Sequence, residues 1–137
     1  MSRARLLIVD DEAAIRNFLT RVLERGGYAV QAASDGREAL ARLDAEPFDL
    51  LLTDIKMDGM DGVEVLAGAK ARHPDLAVVL LTGHATVESA VAALRRGASD
   101  YLLKPVKNEE ILAAIEAALN QRAQTRRRDR LEQLAEQ

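Results

Sequence analysis

A doubly wound α/β fold, with a parallel sheet covered by helices on both faces, follows from three features of this 137-residue sequence. Short apolar runs alternate with amphipathic helical stretches five times, the pattern of repeated βα units joined by right-handed crossovers. Runs such as residues 6–9 and 76–81 are apolar at every position, which suits strands buried on both faces rather than half-solvated ones. Four of the runs end in acids, a threonine or a lysine, and in such sheets ligands sit outside the carboxyl ends of the strands.

Taken in order, residues 5–9 (Arg-Leu-Leu-Ile-Val) are the first strand, ending in Asp10 and Asp11. From 13 to 25 the apolar residues Ile15, Phe18, Leu19, Val22 and Leu23 recur at spacings of three and four, and Gly26-Gly27 stops that helix. Residues 28–33 form a second, more polar strand. Ser34 or Asp35 caps a helix carrying Ala39, Leu40 and Leu43 before Pro47. The third strand, 48–53, again terminates in an acid, Asp54, and a glycine-containing loop from Ile55 to Met60 follows. Asp61 caps a helix bearing Val63, Leu66 and Ala69 that ends at His73-Pro74. Residues 76–81 are the fourth strand, ending at Thr82; Val87, Ala90, Val91 and Leu94 mark the next helix, stopped by Gly97. The fifth strand, 100–103, ends at Lys104-Pro105. Asn108 caps a last helix with Ile111, Leu112, Ile115 and Leu119, and helix-compatible residues continue to Gln137 without a glycine or proline stop. The reading is one domain over 1–120 and a charged helical extension over 121–137.

Composition narrows the function. Hydrophobic residues make up 48% of the chain, enough for one core, while aromatics are only 3%, so there is no platform for stacking single-stranded bases. A net charge of -3 argues against a polyanion-binding surface over the whole molecule, and no direct nucleic-acid binding is expected from the domain. The basic stretch 122–130 (Arg-Ala-Gln-Thr-Arg-Arg-Arg-Asp-Arg) reads as a solvated linker or partner helix in preference to a nucleic-acid patch. With no cysteine there is no disulfide framework, thiolate metal site or cysteine nucleophile. The apolar runs are far shorter than the roughly 20 residues a membrane span needs, and three acids follow the first run where a secretory signal would be apolar; a cytoplasmic protein is expected.

Asp10, Asp11, Asp54, Thr82 and Lys104 all lie just past a strand end, so the fold delivers them to one rim. Three carboxylates together repel one another unless a cation joins them, and oxygen-only ligands suit Mg2+. Asp11 and Asp54 are the direct ligands in this reading and Asp10 acts through water. Asp54 is then an ionised nucleophile toward a phosphoryl group whose oxygens are met by the Lys104 ammonium and the Thr82 hydroxyl. Taken singly each residue has an ordinary explanation: Asp10 and Asp11 as helix caps, Asp54 as a turn acid, Thr82 and Tyr101 as strand residues, Lys104 as a solvated cation. His73 and His84 lack partner ligands, and Met57 and Met60 read as packing.

Over residues 3 to about 120 the sequence resembles the receiver domain of two-component response regulators, of both chemotaxis and nitrogen-regulator type. The resemblance rests on Val9-Asp-Asp-Glu12, Leu52-Thr-Asp-Ile-Lys-Met57, Met60-Asp-Gly62, Leu81-Thr-Gly-His84 and Tyr101-Leu-Leu-Lys-Pro105, in that order. It implies a flavodoxin-like sheet of order 2-1-3-4-5 and a phosphoryl group received by Asp54 from a sensor histidine kinase or phosphotransfer protein. The Lys56 backbone carbonyl would complete the ligands of Mg2+. It further implies a switch pair, Thr82 and Tyr101, that remodels the face of the fourth helix, fifth strand and fifth helix, and a cis Lys104-Pro105 bond. Lys56 and His84 would border the path of the hydrolytic water and set the phosphoryl lifetime. A homodimer would form through that same face or through the extended last helix. The stretch 81–90 is similar to receivers placed before ATPase activators of transcription, so the chain is either the regulatory piece of a longer regulator, whose effector domain lies elsewhere, or a stand-alone regulator. In this reading it is no turnover enzyme and catalyses only its own phosphorylation and dephosphorylation. One departure stands out: many receivers carry proline four residues after the acceptor, where this chain has Asp58. The rival from another class is a flavodoxin-like binding protein or phosphatase-like enzyme on the same sheet. A flavin reader would need a phosphate-cradling loop where Asp10, Asp11 and Glu12 stand.

Overall fold

The computed structural model describes residues 3–83 and 86–136. Five strands, β1 (Arg5–Val9), β2 (Ala29–Ala33), β3 (Leu50–Thr53), β4 (Ala77–Thr82) and β5 (Asp100–Leu103), form one sheet of order β2-β1-β3-β4-β5. All four pairings are parallel. The helices are α1 (Ala13–Arg25), α2 (Gly36–Ala45), α3 (Gly62–Arg72), α4 (Val87–Arg95) and α5 (Asn108–Ala135). The strand alternation splits the core in two. Leu7, Val9, Leu51, Val78 and Leu80 project to the side of Leu43, Leu66 and Ala93, whereas Leu6, Ile8, Leu50, Leu52 and Val79 project to the side of Leu19, Leu23, Ile111 and Ile115. Because β1, β3 and β4 have buried neighbours on both faces, each must be apolar at nearly every position, which is why their runs are continuous.

Strand starts differ from the sequence reading: β2 begins at Ala29, β3 at Leu50 and β4 at Ala77. The Asp35 cap forms, its carboxylate accepting the Glu38 amide at 2.8 Å, and Asp61 closes a capping box with Glu64. Asn108 does not cap the last helix; it is the first helical residue, and Lys107, without a side-chain cap, precedes it. Phe18 is 47% exposed rather than part of the core, because it lies over a groove between α1 and the loop that follows β5. The apolar stripe of α4 is likewise exposed at Val87, Val91 and Leu94, with only Ala93 buried. The helix lies at the sheet margin beside the edge strand β5, where little surface is available to cover it. The last helix does run on, reaching Ala135.

Within the extension, Arg122 and Arg126 turn back to the body. Arg122 donates to Asp49 at 2.9 Å and to the Asp75 carbonyl at 3.1 Å, and Arg126 pairs with the Asp75 carboxylate. Beyond them Leu131 and Leu134 are more than half exposed.

Candidate functional site

The carboxyl ends of β1, β3, β4 and β5 bring the site together because these strands are neighbours in register: Val9 pairs with Thr53, Thr53 with Leu80, and Thr82 with Leu103. Asp10, one step past β1, is almost fully buried. Its Oδ1 accepts the Glu12 amide at 2.9 Å, which turns the chain into α1, and its backbone carbonyl accepts from Arg16 at 2.7 Å. Asp10 thus serves the entry to α1 from outside the helix, whose N-cap is Glu12, while its Oδ2 is left toward the site.

Asp54 follows β3, its amide bonded to the Val9 carbonyl at 3.1 Å. Its carboxylate is only 11% exposed; Oδ1 accepts the Ile55 amide at 2.7 Å, and Oδ2 faces Lys104. Buried Thr53 donates its hydroxyl to the Asp54 carbonyl at 2.9 Å. The Lys104 ammonium lies 3.4 Å from both Asp10 Oδ2 and Asp54 Oδ2, and its amide is tied to the Thr82 carbonyl at 2.9 Å. The Lys104-Pro105 peptide is cis. Asp11 is exposed, and one oxygen from each of Asp10, Asp11 and Asp54 falls within 4.8 Å of the others.

Electrostatics follow from burial. Desolvation drives the Asp10 carboxyl above its ordinary range, the Asp54 charge adds to that, and the Glu12 amide and Lys104 ammonium oppose it. A site with three hard-oxygen donors and one cation shared between two of them is short of positive charge, and a small divalent cation fits that donor set.

Thr82 is fully buried at the end of β4. Tyr101 is half-buried against the α2–α3 side of the core, and its phenol meets Ser89 at 2.9 Å. Lys56 and Asp58 are exposed in the loop after Asp54, whereas Met57 is buried as packing. His73 contacts the Leu43 carbonyl at 2.9 Å, a structural role. His84 lies outside the described residues.

Three residues to which the sequence reading gave no role of their own shape the site and its surroundings. Gly62 starts α3 hard against the acceptor loop: a Cβ there would meet the Asp54 carbonyl and come 2.6 Å from Ile55 Cα. Its signals in the sequence were its place directly after the capping Asp61 and its membership of the motif Met60-Asp-Gly62. Arg16 braces the Asp10 backbone from one turn into α1, and Ser89, third after Thr86, has the spacing of a capping box.

Comparison with known proteins bears on the family and the fold. The family model for the response regulator receiver domain matches residues 6–116. The DNA-binding transcriptional regulator NtrC of Salmonella typhimurium is 41% identical over 120 residues, which is 88% of this chain and 26% of that protein. The response regulator MprA of Mycolicibacterium vanbaalenii is 42% identical over 84% of this chain and 50% of its own length. Among solved structures, a CheY-like receiver domain protein from Methanospirillum hungatei superimposes with a TM-score of 0.88 at 37% identity, covering 90% of this chain and 99% of that one. NtrX from Brucella abortus gives 0.89 at 36% identity, covering 95% and 30%. The chain therefore spans about a quarter of the length of the NtrC protein it matches.

Proposed function

Since the chain belongs to the response regulator receiver domain family, a phosphorylation-activated regulatory domain, we propose that Asp54 is its phosphoacceptor and that Asp10, Asp11 and Asp54 hold Mg2+, joined by the Lys56 carbonyl. The observation that carries this reading is the Lys104 ammonium, 3.4 Å from both Asp10 and Asp54 at the joined ends of β1, β3 and β5. Lysine placed there can move from pairing two carboxylates to pairing a phosphoryl oxygen, so positive charge is already in place where negative charge will arrive. When bound, the divalent cation supplies further charge neutralisation of phosphoryl oxygens. The Ile55 amide orients the Asp54 carboxylate. An Asp54 oxygen then bonds to phosphorus as the phosphorus–nitrogen bond of a phosphohistidine breaks, and the departing imidazole keeps the electron pair and takes up a proton.

The donor is a sensor histidine kinase or phosphotransfer protein. An apolar groove of about 220 Å³, lined by Ile15, Phe18, Leu19, Pro105, Val106 and Ile111, borders Lys104 and offers such a protein a surface to rest on. Thr82 and Tyr101 form the switch, and Lys56 and His84 tune the phosphoryl lifetime. Exposed Val91, Leu94 and Leu103 support the face of α4, β5 and α5 as the output and dimer surface, with the extended α5 as the other route to a dimer. The whole protein regulates transcription through an effector region, by analogy with NtrC, and residues 121–137 lead toward it. No helix among the described residues is long and apolar enough to cross a membrane.

Incubation with acetyl phosphate and Mg2+ tests the reading. One phosphoryl group per chain, acid-stable, base-labile and dependent on the cation, is expected; continuous release of phosphate in many-fold excess over protein would instead identify a turnover phosphatase.

A further inference from the structure

The Tyr101 phenol reaches a hydroxyl that already has a full set of partners. Ser89 Oγ lies 2.9 Å from the Tyr101 hydroxyl, and also 3.1 Å from the Thr86 amide, 3.0 Å from the Thr86 hydroxyl and 3.1 Å from the Thr86 carbonyl. A serine hydroxyl has one proton and two lone pairs, so at most three of these four contacts are hydrogen bonds at one time. The Thr86 amide occupies one lone pair. The remaining lone pair and the proton are divided among the Thr86 hydroxyl, the Thr86 carbonyl and Tyr101. Tyr101 therefore bonds Ser89 only by displacing the Thr86 hydroxyl or carbonyl from Ser89 Oγ, while the two capping-box bonds, Ser89 amide to Thr86 hydroxyl at 2.9 Å and Thr86 amide to Ser89 hydroxyl at 3.1 Å, stay formed. That cap matters more than most, because Ala93 is the only buried residue of the nine-residue helix and the tertiary contacts that would otherwise fix it are few.

We infer that Ser89 is a positioning residue, a shared hydroxyl over which the Tyr101 side chain and the N-terminal cap of α4 compete. With the phenol engaged, the cap keeps its two box bonds and loses the additional Ser89 hydroxyl contact to Thr86. With the phenol withdrawn, Ser89 returns to Thr86 and the first turn of α4 tightens. The competition stands on the unphosphorylated geometry alone; its use in signalling rests on the reading of Tyr101 as a switch residue given above.

The test is a double-mutant cycle in the full chain, read by native-state amide exchange at Ala90, whose amide bonds the Thr86 carbonyl at 3.0 Å. Tyr101→Phe is expected to slow Ala90 exchange about threefold or more in the parent chain, and to leave it unchanged in the Ser89→Ala background. Ser89→Thr, which keeps the hydroxyl, is expected to restore the dependence on Tyr101. The same factor for Tyr101→Phe with and without the Ser89 hydroxyl would overturn the inference, since a purely structural cap gives additive effects. A second arm uses Tyr28→Phe, which leaves Tyr101 as the only tyrosine in a chain without tryptophan, so its fluorescence reports its surroundings. On treatment with acetyl phosphate and Mg2+, fluorescence and Ala90 protection are expected to change together; in Ser89→Ala they separate while the labelling stoichiometry stays the same. Joint movement that survives Ser89→Ala counts against the inference. Failure of the parent chain to become labelled overturns the phosphoacceptor reading, and the exchange cycle still decides the competition.

Discussion

Replacing Arg122 by alanine asks whether the folded unit extends past residue 120. The Arg122 side chain is only 11% exposed, with Nη1 2.9 Å from Asp49 Oδ1 and Nε 3.1 Å from the Asp75 carbonyl. A hydrogen bond to a charged group contributes about 1.5–3 kcal/mol when both partners are desolvated. Asp49 and Asp75 are 35% and 39% exposed, so water recovers much of what their carboxylates lose, and Asp49 keeps its bond from the Arg5 amide. Discounting the two contacts to roughly 0.5–1 kcal/mol each and adding a similar amount for the buried aliphatic stem gives about 2 kcal/mol. At about 4 °C per kcal/mol for a domain of this size, the melting temperature falls by about 8 °C. Arg126 supplies the control: it is 48% exposed and among the described residues holds only Asp75, so Arg126→Ala is expected to cost about 0.5 kcal/mol or less. Urea unfolding followed by circular dichroism measures both. Equal costs for the two variants, or a cost below about 0.5 kcal/mol for Arg122→Ala, would refute the view that the start of the extension is part of the fold.

The pH dependence of the same latch has a definite sign. Burial pushes the Asp75 carboxyl up, but the hydrogen bond and charge of Arg126 with the charge of Arg122 outweigh it and hold the group below its usual 3.8. Its contribution is therefore present above 3.8 and lost as pH falls through the folded-state value, so acid unfolding of Asp75→Asn, titrated downward from about pH 5, should be shallower than that of the parent. Asp10 has the opposite sign: its raised carboxyl means that ionisation opposes folding as pH climbs from 3.8 through the higher folded value. At neutral pH without divalent cation Asp10→Asn should melt higher than the parent and gain less from Mg2+; a variant that melts lower, or gains as much, contradicts this account of the charge balance. Gly62→Ala forces a methyl against the Asp54 carbonyl and Ile55 Cα, backbone atoms that cannot rotate away. It should cost about 1–3 kcal/mol and slow labelling by acetyl phosphate; a neutral result on both would show that the acceptor loop tolerates movement.

What the sequence revealed and what it hid divide along physical lines. Strands β1, β3 and β4 were legible because burial on both faces leaves no room for polar residues, and the strand-end residues Asp10, Asp54, Thr82 and Lys104 were legible because a parallel sheet carries all such ends to one rim. The caps at Asp35 and Asp61 were local and equally readable. Periodicity alone could not tell that Phe18, Val91 and Leu94 stay exposed, since an apolar stripe has the same spacing whether or not the sheet is wide enough to cover it. Arg122 looked like part of a solvated basic run; its partners, Asp49 and Asp75, lie 73 and 47 residues away in the chain, beyond any local pattern. Ser89 was hidden for the same reason, because its value lies in meeting Tyr101 across the boundary between α4 and β5.

Mapping the phosphoryl group to a residue tests the central claim most directly. After reaction with acetyl phosphate and Mg2+, proteolysis at acidic pH and mass spectrometry should place the added phosphoryl mass on the peptide holding Asp54. The label should vanish in Asp54→Asn with the fold intact by circular dichroism. Phosphoryl mass on another residue of the parent chain, or labelling undiminished in Asp54→Asn, would contradict the account.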